Sequence, residues 1–267
     1  MHSIKGARAV VTGAGRGIGA ALARRLASEG ALVAVNDRHR DRAEEVAAEI
    51  GGVAVPGDAR GPVVPAAREA LGGTIDLYCA NAGVATTGGA DTPDEEWDLA
   101  WEVNVLAHVR AARELLPEWL ARGQGRFVSV ASAASLLTMI GAAPYAVTKH
   151  GALAFAEWLS VTYRHRGVHV HAVCPRGVRT QMRSSADTAK GMMLTSTPIG
   201  PDEVADAVLK GIADGRFLIL PHPEVADHAA ARVTDHERWL DDINALQRRQ
   251  ESAGTEQESR TVAEEHS

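Results

Sequence analysis

Seven short runs rich in Val, Ala, Ile and Leu, at 8–12, 31–36, 53–56, 76–80, 126–131, 169–173 and 217–220, alternate with helical patterns along the whole chain. Their apolar residues are continuous rather than alternating, which is the pattern of strands covered on both faces. The intervening helical segments begin near Gly17, Asp41, Pro62, Asp94, Pro144 and Pro201, several of them at Asp or Pro, as helix starts prefer. Strict strand–helix alternation predicts an α/β fold, a doubly wound parallel sheet of about seven strands with right-handed crossovers and helices on both faces. With 267 residues, 45% of them hydrophobic, and neither a repeat nor a linker, residues 1–250 read as one domain.

Three stretches stand apart within that scheme. Residues 94–122 read as one long helix with a stripe of Trp97, Trp101, Val105 and Val109, suited to the core or to a subunit contact. Residues 181–200 read as an excursion from the sheet, with Gly191, Met192, Met193 and Leu194 as a mobile apolar lid. Residues 251–267, nearly devoid of apolar side chains, read as a disordered acidic tail.

Charge and composition narrow the partners. A formal net charge of −6 and the lack of any Lys/Arg block argue against a nucleic-acid surface. The first residues do not read as a secretory signal, and no apolar run reaches the roughly 18 residues that a membrane span requires. Cys79 and Cys174 each sit in or directly after a strand-like run and read as buried reduced thiols, so the expected location is the cytoplasm. The eleven histidines show no metal-ligand spacing, and His169 and His171, alternating on one strand, read as a solvent face; no metal is expected.

The first strand runs into Thr12-Gly13-Ala14-Gly15-Arg16-Gly17-Ile18-Gly19, and a helix follows at once. In that context the glycines permit a tight turn and a close approach of backbone to pyrophosphate, while the helix N-terminus offers N–H groups to the anion. About 20 residues on, Asp37 ends the second strand, where a carboxylate can bond the adenosine ribose hydroxyls. Its alternative role is to form a turn or cap the next helix. A ribose-facing Asp37 disfavours a 2′-phosphate and so selects NAD, while Arg16 and Arg38 are guanidinium groups that could pair with that phosphate, leaving NADP as the alternative.

Tyr145 and Lys149 lie four residues apart on one predicted helix, which brings their Cβ atoms to about 5–6 Å. An ammonium at that range is expected to lower the phenol's pKa and prepare it for proton transfer. As an isolated pair they would more often be a packed ring beside a solvated lysine.

With these residues in place, the chain resembles the short-chain dehydrogenase/reductase family, in its compact single-domain branch, from about residue 5 to residue 220. The family's Thr-Gly-x-x-x-Gly-x-Gly is Thr12, Gly13, Gly17 and Gly19, and its Asn-Ala-Gly is Asn81, Ala82 and Gly83. Its Tyr-x-x-x-Lys is Tyr145 and Lys149, its serine thirteen residues earlier is Ser132, and its helix asparagine is Asn104. Asp58, with Ala59 beside it, resembles the acid that meets the adenine ring, and Pro175, Val178 and Thr180 fall where the nicotinamide carboxamide is held. The resemblance implies a Rossmann fold, a homotetramer or homodimer, and hydride transfer between NAD(H) and a secondary alcohol or ketone. In it Tyr145 is general acid/base, Lys149 lowers the tyrosine pKa and holds the nicotinamide ribose, Ser132 bonds the substrate oxygen, and Asn104 binds a water leading from Lys149 to solvent. Taken singly, Ser132 among small residues and Asn104 on a helix would each have a packing explanation.

One position departs from the pattern. Where the family has Pro-Gly after its sixth strand, this chain has Pro175-Arg176, and Arg176 reads either as a solvent-directed side chain or as a contact for an anionic substrate, the first being favoured. Leu136, Leu137, Met139, Met182 and the 192–194 run suggest an apolar pocket for a hydrophobic or partly polar small molecule. An NADP-dependent carbonyl reductase, or a regulatory protein that binds the dinucleotide without turning it over, are the alternatives.

Overall fold

A computed structural model describes residues 4–179 and 198–265, with side chains through residue 252. The strands are β1 (Arg8–Thr12), β2 (Leu32–Asp37), β3 (Val53–Pro56), β4 (Leu77–Ala80), β5 (Gly125–Val130), β6 (Val168–Val173) and β7 (Leu218–Ile219). Around them lie α1 (Gly17–Ser28), α2 (Arg40–Ile50), α3 (Val63–Leu71), α4 (Asp94–Trp101), α5 (Ala107–Arg122), α6 (Ala143–Tyr163), α7 (Pro201–Ala213), α8 (Glu224–Thr234) and α9 (His236–Glu265). All strand pairs are parallel, in the order β3-β2-β1-β4-β5-β6-β7. The order reverses between β1 and β4, which opens a crevice at the carboxyl ends of the strands.

Continuous apolar strands are explained by two cores. Val11, Val33, Val128 and Val173 face Leu22 and Leu26 of α1 and Val204, Val208 and Ile212 of α7. Their neighbours Val10, Tyr78, Phe127 and Val170 face Leu115 and Trp119 of α5 and Leu153 and Leu159 of α6. Each fully buried Leu or Phe contributes about 1.5–3 kcal/mol of burial free energy, so both faces of the sheet must be covered. Among the described residues no helix is long and apolar enough to cross a membrane.

The structure corrects several expectations. Residues 94–122 are not one regular helix, because a π-helical turn, Glu102–Leu106, joins α4 to α5. The wider turn shifts the register of the predicted stripe, leaving Val105 buried and Trp101 41% exposed. His171 is buried rather than solvent-facing: β6 is an interior strand, and the His171 Nδ1 lies 2.6 Å from the Arg216 carbonyl oxygen. Helices α8 and α9 follow β7, where the sequence pattern suggested no element. The α9 backbone is helical to Glu265. Glu is the commonest residue of 251–265 and favours helix without contributing apolar surface. Thr180, Met182 and residues 191–194 lie outside the described residues.

Candidate active site

The nucleotide end is built from backbone bonded to side chains. A Cβ on Gly13 would lie 2.9 Å from the Ala82 Cα, and one on Gly19 would lie 2.3 Å from the Gly13 carbonyl oxygen, so only glycine lets α1 start this close to β1 and β4. The Thr12 hydroxyl accepts the Asn81 and Ala82 N–H groups, each at 3.0 Å. The Asn81 amide donates to the Thr12 carbonyl at 2.8 Å and the Gly13 carbonyl at 3.2 Å. Asn81 therefore ties the ends of β1 and β4 together at the reversal point. Arg16 precedes α1 in extended conformation without a side-chain cap, so no side-chain cap claims the first-turn N–H groups of α1, which includes Gly17, Ile18 and Gly19. Donors of that kind suit the pyrophosphate of a dinucleotide.

Asp37 is buried at the end of β2, where its carboxylate accepts the Gly15 N–H at 3.0 Å and the His39 N–H at 2.9 Å. The acid expected at the ribose is thus oriented by the glycine loop itself. Arg16 and Arg38 are exposed. Asp58 takes a two-pronged contact from the Arg60 guanidinium, at 3.0 and 2.7 Å, which holds its carboxyl below the usual range. Ala59 lies between these two residues.

The end expected to be catalytic is assembled from β5, α6 and the π turn. Ser132 follows β5 and caps a 3₁₀ turn, Ala133–Ser135, its hydroxyl accepting the Ala134 N–H at 3.1 Å. Tyr145 and Lys149 lie one turn apart on α6, the Lys149 Nζ 5.7 Å from the ring centroid and donating to the Val130 carbonyl at 3.0 Å. Asn104, fully buried in the π turn, donates to the Val84 carbonyl and to the Thr148 hydroxyl, both at 3.0 Å, and accepts the Val84 N–H at 2.9 Å. Thr148 in turn donates to the Pro144 carbonyl at 2.7 Å. Gly83 completes the join: a Cβ there would lie 3.2 Å from the Asn104 Oδ1 and 3.4 Å from the Lys149 Nζ. The Asn81-Ala82-Gly83 segment therefore touches the glycine loop at one end and Asn104 and Lys149 at the other.

The electrostatics differ from the expectation. Desolvation pushes the Tyr145 phenol above its ordinary value, and a hydrogen bond with the Ser132 side chain pulls it partly back. The net shift is upward, set by burial. The Lys149 ammonium is turned to the Val130 carbonyl and is itself so desolvated that its pKa falls to about 8. Behind the pair sits His108, one turn beyond Asn104, buried and 3.1 Å from the Ser129 hydroxyl. Burial and the nearby Lys149 depress its pKa to about 3, so it is neutral. Sequence reasoning missed both His108 and Thr148; the only signal for either was its helical spacing, four residues after Asn104 and one before Lys149.

On the other flank, the Pro175 carbonyl accepts the Ala133 N–H at 2.8 Å. Val178 bridges to Ile199, with the Arg179 N–H donating to the Ile199 carbonyl at 2.9 Å. Arg176 does not point to solvent: its side chain is 13% exposed and its guanidinium lies 4.0 Å from the Glu224 carboxylate. Its N–H donates to the Nδ1 of buried His222 at 3.2 Å. The Gly-to-Arg departure is thus accommodated by α8, which brings Glu224 to it.

Known proteins share this fold. A family model described as short chain dehydrogenase matches residues 7–191. A 1-deoxy-11-beta-hydroxypentalenate dehydrogenase of Streptomyces avermitilis is 36% identical over 253 residues, covering 90% of this chain and 93% of that protein. A short-chain dehydrogenase/reductase of Burkholderia phymatum, solved in complex with NAD, superposes with a TM-score of 0.81 at 26% identity, over 89% of this chain and 96% of the other. A short-chain dehydrogenase of Sphingobium yanoikuyae, solved with NADPH, gives 0.75 at 25% identity over 88% and 96%.

Proposed function

Because the chain belongs to the short-chain dehydrogenase/reductase family, and because Ser132, Tyr145 and Lys149 converge beside the glycine loop, we propose an NAD(H)-dependent oxidoreductase that interconverts a secondary alcohol and a ketone. The observation that carries this reading is the joining of the two ends by Asn81, Ala82 and Gly83. A bound nicotinamide dinucleotide supplies the hydride acceptor or donor. The protein supplies the proton chemistry. In oxidation Tyr145 takes the hydroxyl proton, and in reduction it returns one to the carbonyl oxygen. Ser132, hydrogen-bonded with that phenol, steadies the same oxygen as its charge changes. Lys149 holds the nicotinamide ribose hydroxyls. Asn104, whose amide N–H groups bond Val84 and Thr148, positions the Gly83 segment against α6 and binds the water that leads from Lys149 to solvent.

Gly13, Arg16, Gly17, Ile18 and Gly19 form the pyrophosphate seat, Asp58 and Ala59 flank the adenine, and Pro175 and Val178, with Thr180, hold the carboxamide. Asp37 favours NAD, since a 2′-phosphate about 4 Å from its carboxylate would cost on the order of 4 kcal/mol at an effective dielectric of ~20, before relaxation and salt screening reduce it. The Burkholderia phymatum and Sphingobium yanoikuyae structures contain NAD and NADPH respectively, so the family accommodates both. The Streptomyces avermitilis relative is named for a hydroxylated compound, which supports an alcohol as the substrate class. We place the enzyme in the cytoplasm, with Cys79 and Cys174 as buried free thiols. We also assign it as a homodimer or homotetramer, because Trp101, Val147, Trp158 and Val161 expose an apolar surface along the packed pair α4 and α6.

The test is a turnover screen with NAD and NADP over secondary alcohols and ketones, followed through the absorbance of the reduced nicotinamide. Turnover with NAD is expected. Inertness with both cofactors across the panel would establish the non-catalytic alternative.

A further inference from the structure

Helix α8 has two anchors, one on each loop that leaves the catalytic end of the sheet. At its start, Glu224 lies 4.0 Å from the Arg176 guanidinium just beyond β6, and Val225 is fully buried. Near its end, Arg232 donates to the Leu136 carbonyl, four residues past Ser132, and lies 3.3 Å from the Nε2 of His150, the residue after Lys149. The His150 Nδ1 faces the Ala146 carbonyl at 2.9 Å, so it carries the proton and leaves Nε2 as an acceptor for Arg232. Stacking on Trp239 of α9, 5.1 Å from the ring centroid, keeps the guanidinium in place.

Eight residues of helix between Glu224 and Arg232 span about 12 Å. The anchored loops leave the adjacent strands β5 and β6 and are joined to each other by the Ala133–Pro175 hydrogen bond. Between the anchors the inward face of α8 is a single stripe, Val225, Ala229 and Arg232, at i, i+4 and i+7, with residues 226–228 and 230–231 exposed. The stripe is thus tied to the segment four residues past Ser132 and to the residue after Lys149.

We infer that α8 is a wall of the substrate site whose inward stripe limits substrate size, and that Arg232 is the positioning residue that holds the wall against the Leu136 loop and α6. This rests on the oxidoreductase reading. Arg232 touches no reacting atom and acts through Leu136 and His150.

The experiment is steady-state ketone reduction by the full-length chain, comparing small and bulky ketones in wild type, Arg232→Leu, Arg232→Lys and Ala229→Leu, with NADH affinity measured by fluorescence. Arg232→Leu should raise KM for bulky ketones about 10-fold while kcat and NADH affinity stay within roughly 3-fold, and Arg232→Lys should recover part of the loss. Ala229→Leu should raise KM for bulky ketones about 10-fold and leave small ones unchanged. Unchanged KM values in both Leu variants, or a parallel fall of kcat, NADH affinity and melting temperature, overturn the inference. If Arg232→Leu does not fold, Ala229→Leu decides. Wild-type protein that reduces nothing in the panel defeats the oxidoreductase reading and this wall together, whereas active wild type with unmoved variants defeats the wall alone.

Discussion

At the β1–β4 side of the sheet edge, Thr12, Asn81 and Asp37 each bond to main-chain groups of the glycine loop or its immediate neighbours. At the β5–β7 side the rim is held largely by side chains reaching across the fold, Arg176 to Glu224 and Arg232 to His150. The first arrangement follows wherever the backbone adopts this topology, because N–H and carbonyl positions are set by the strands themselves. The second exists only because α8 docks where it does. A chain can therefore keep its nucleotide half constant while varying what borders the substrate.

That contrast can be broken in four places. The largest effect is expected from Tyr145→Phe, which removes the proton donor but no apolar contact. Turnover should fall about 10²–10⁴-fold with NADH affinity nearly unchanged, as read by stopped assays beside fluorescence titration. Substantial residual activity would show that the proton passes elsewhere. Next is Gly19→Val, since even a Cβ there meets the Gly13 carbonyl at 2.3 Å and the Asn81 amide at 2.5 Å. Dinucleotide affinity should drop by about 100-fold as the seat is forced open, and a variant that binds NADH normally would mean that the seat tolerates a shift of α1.

The third prediction concerns acid. His108 and His171 are buried and neutral, with pKa values lowered to about 3 and about 4. Below the unfolded value near ~6.5 the unfolded chain binds protons that the folded one refuses, so stability present above that pH is lost as pH falls toward the folded values. Between about pH 6.5 and 5 each histidine should cost about 1–2 kcal/mol. Urea midpoints across this range should decline in wild type and flatten in a His108→Gln/His171→Asn protein; equal slopes would show that other groups govern. Both histidines flank β5 and β6, so the loss is expected first in the substrate half. The smallest effect is Asp37→Ala, which should shift preference toward NADP by about 10-fold, or ~1.4 kcal/mol, in the ratio of kcat/KM values. No shift would indicate that Arg16 and Arg38 already accommodate a 2′-phosphate.

Legibility in the sequence followed the same division. β1 and β3 fall at the predicted bounds and the other strands within about one residue of them, because a continuous apolar run ending in Gly, Asp or Pro leaves little freedom. The glycine loop and the Tyr–Lys turn were legible because each is a short-range spacing. Asn104 was found, but not its partners Val84 and Thr148, 20 and 44 residues away. Arg176 was misread for the same reason, since its partner lies on a helix that the sequence pattern did not reveal.

The sequence by itself determined the doubly wound sheet, the glycine loop between β1 and α1 and the pairing of Tyr145 with Lys149, all consequences of periodicity and of short-range spacing. Tertiary structure decided the protonation tendencies of Tyr145, Lys149, His108 and His171, the burial of Arg176 and the placement of α8 across the rim. Those depend on which surfaces exclude water from one another, and burial is a property of the packed assembly of elements rather than of any one segment.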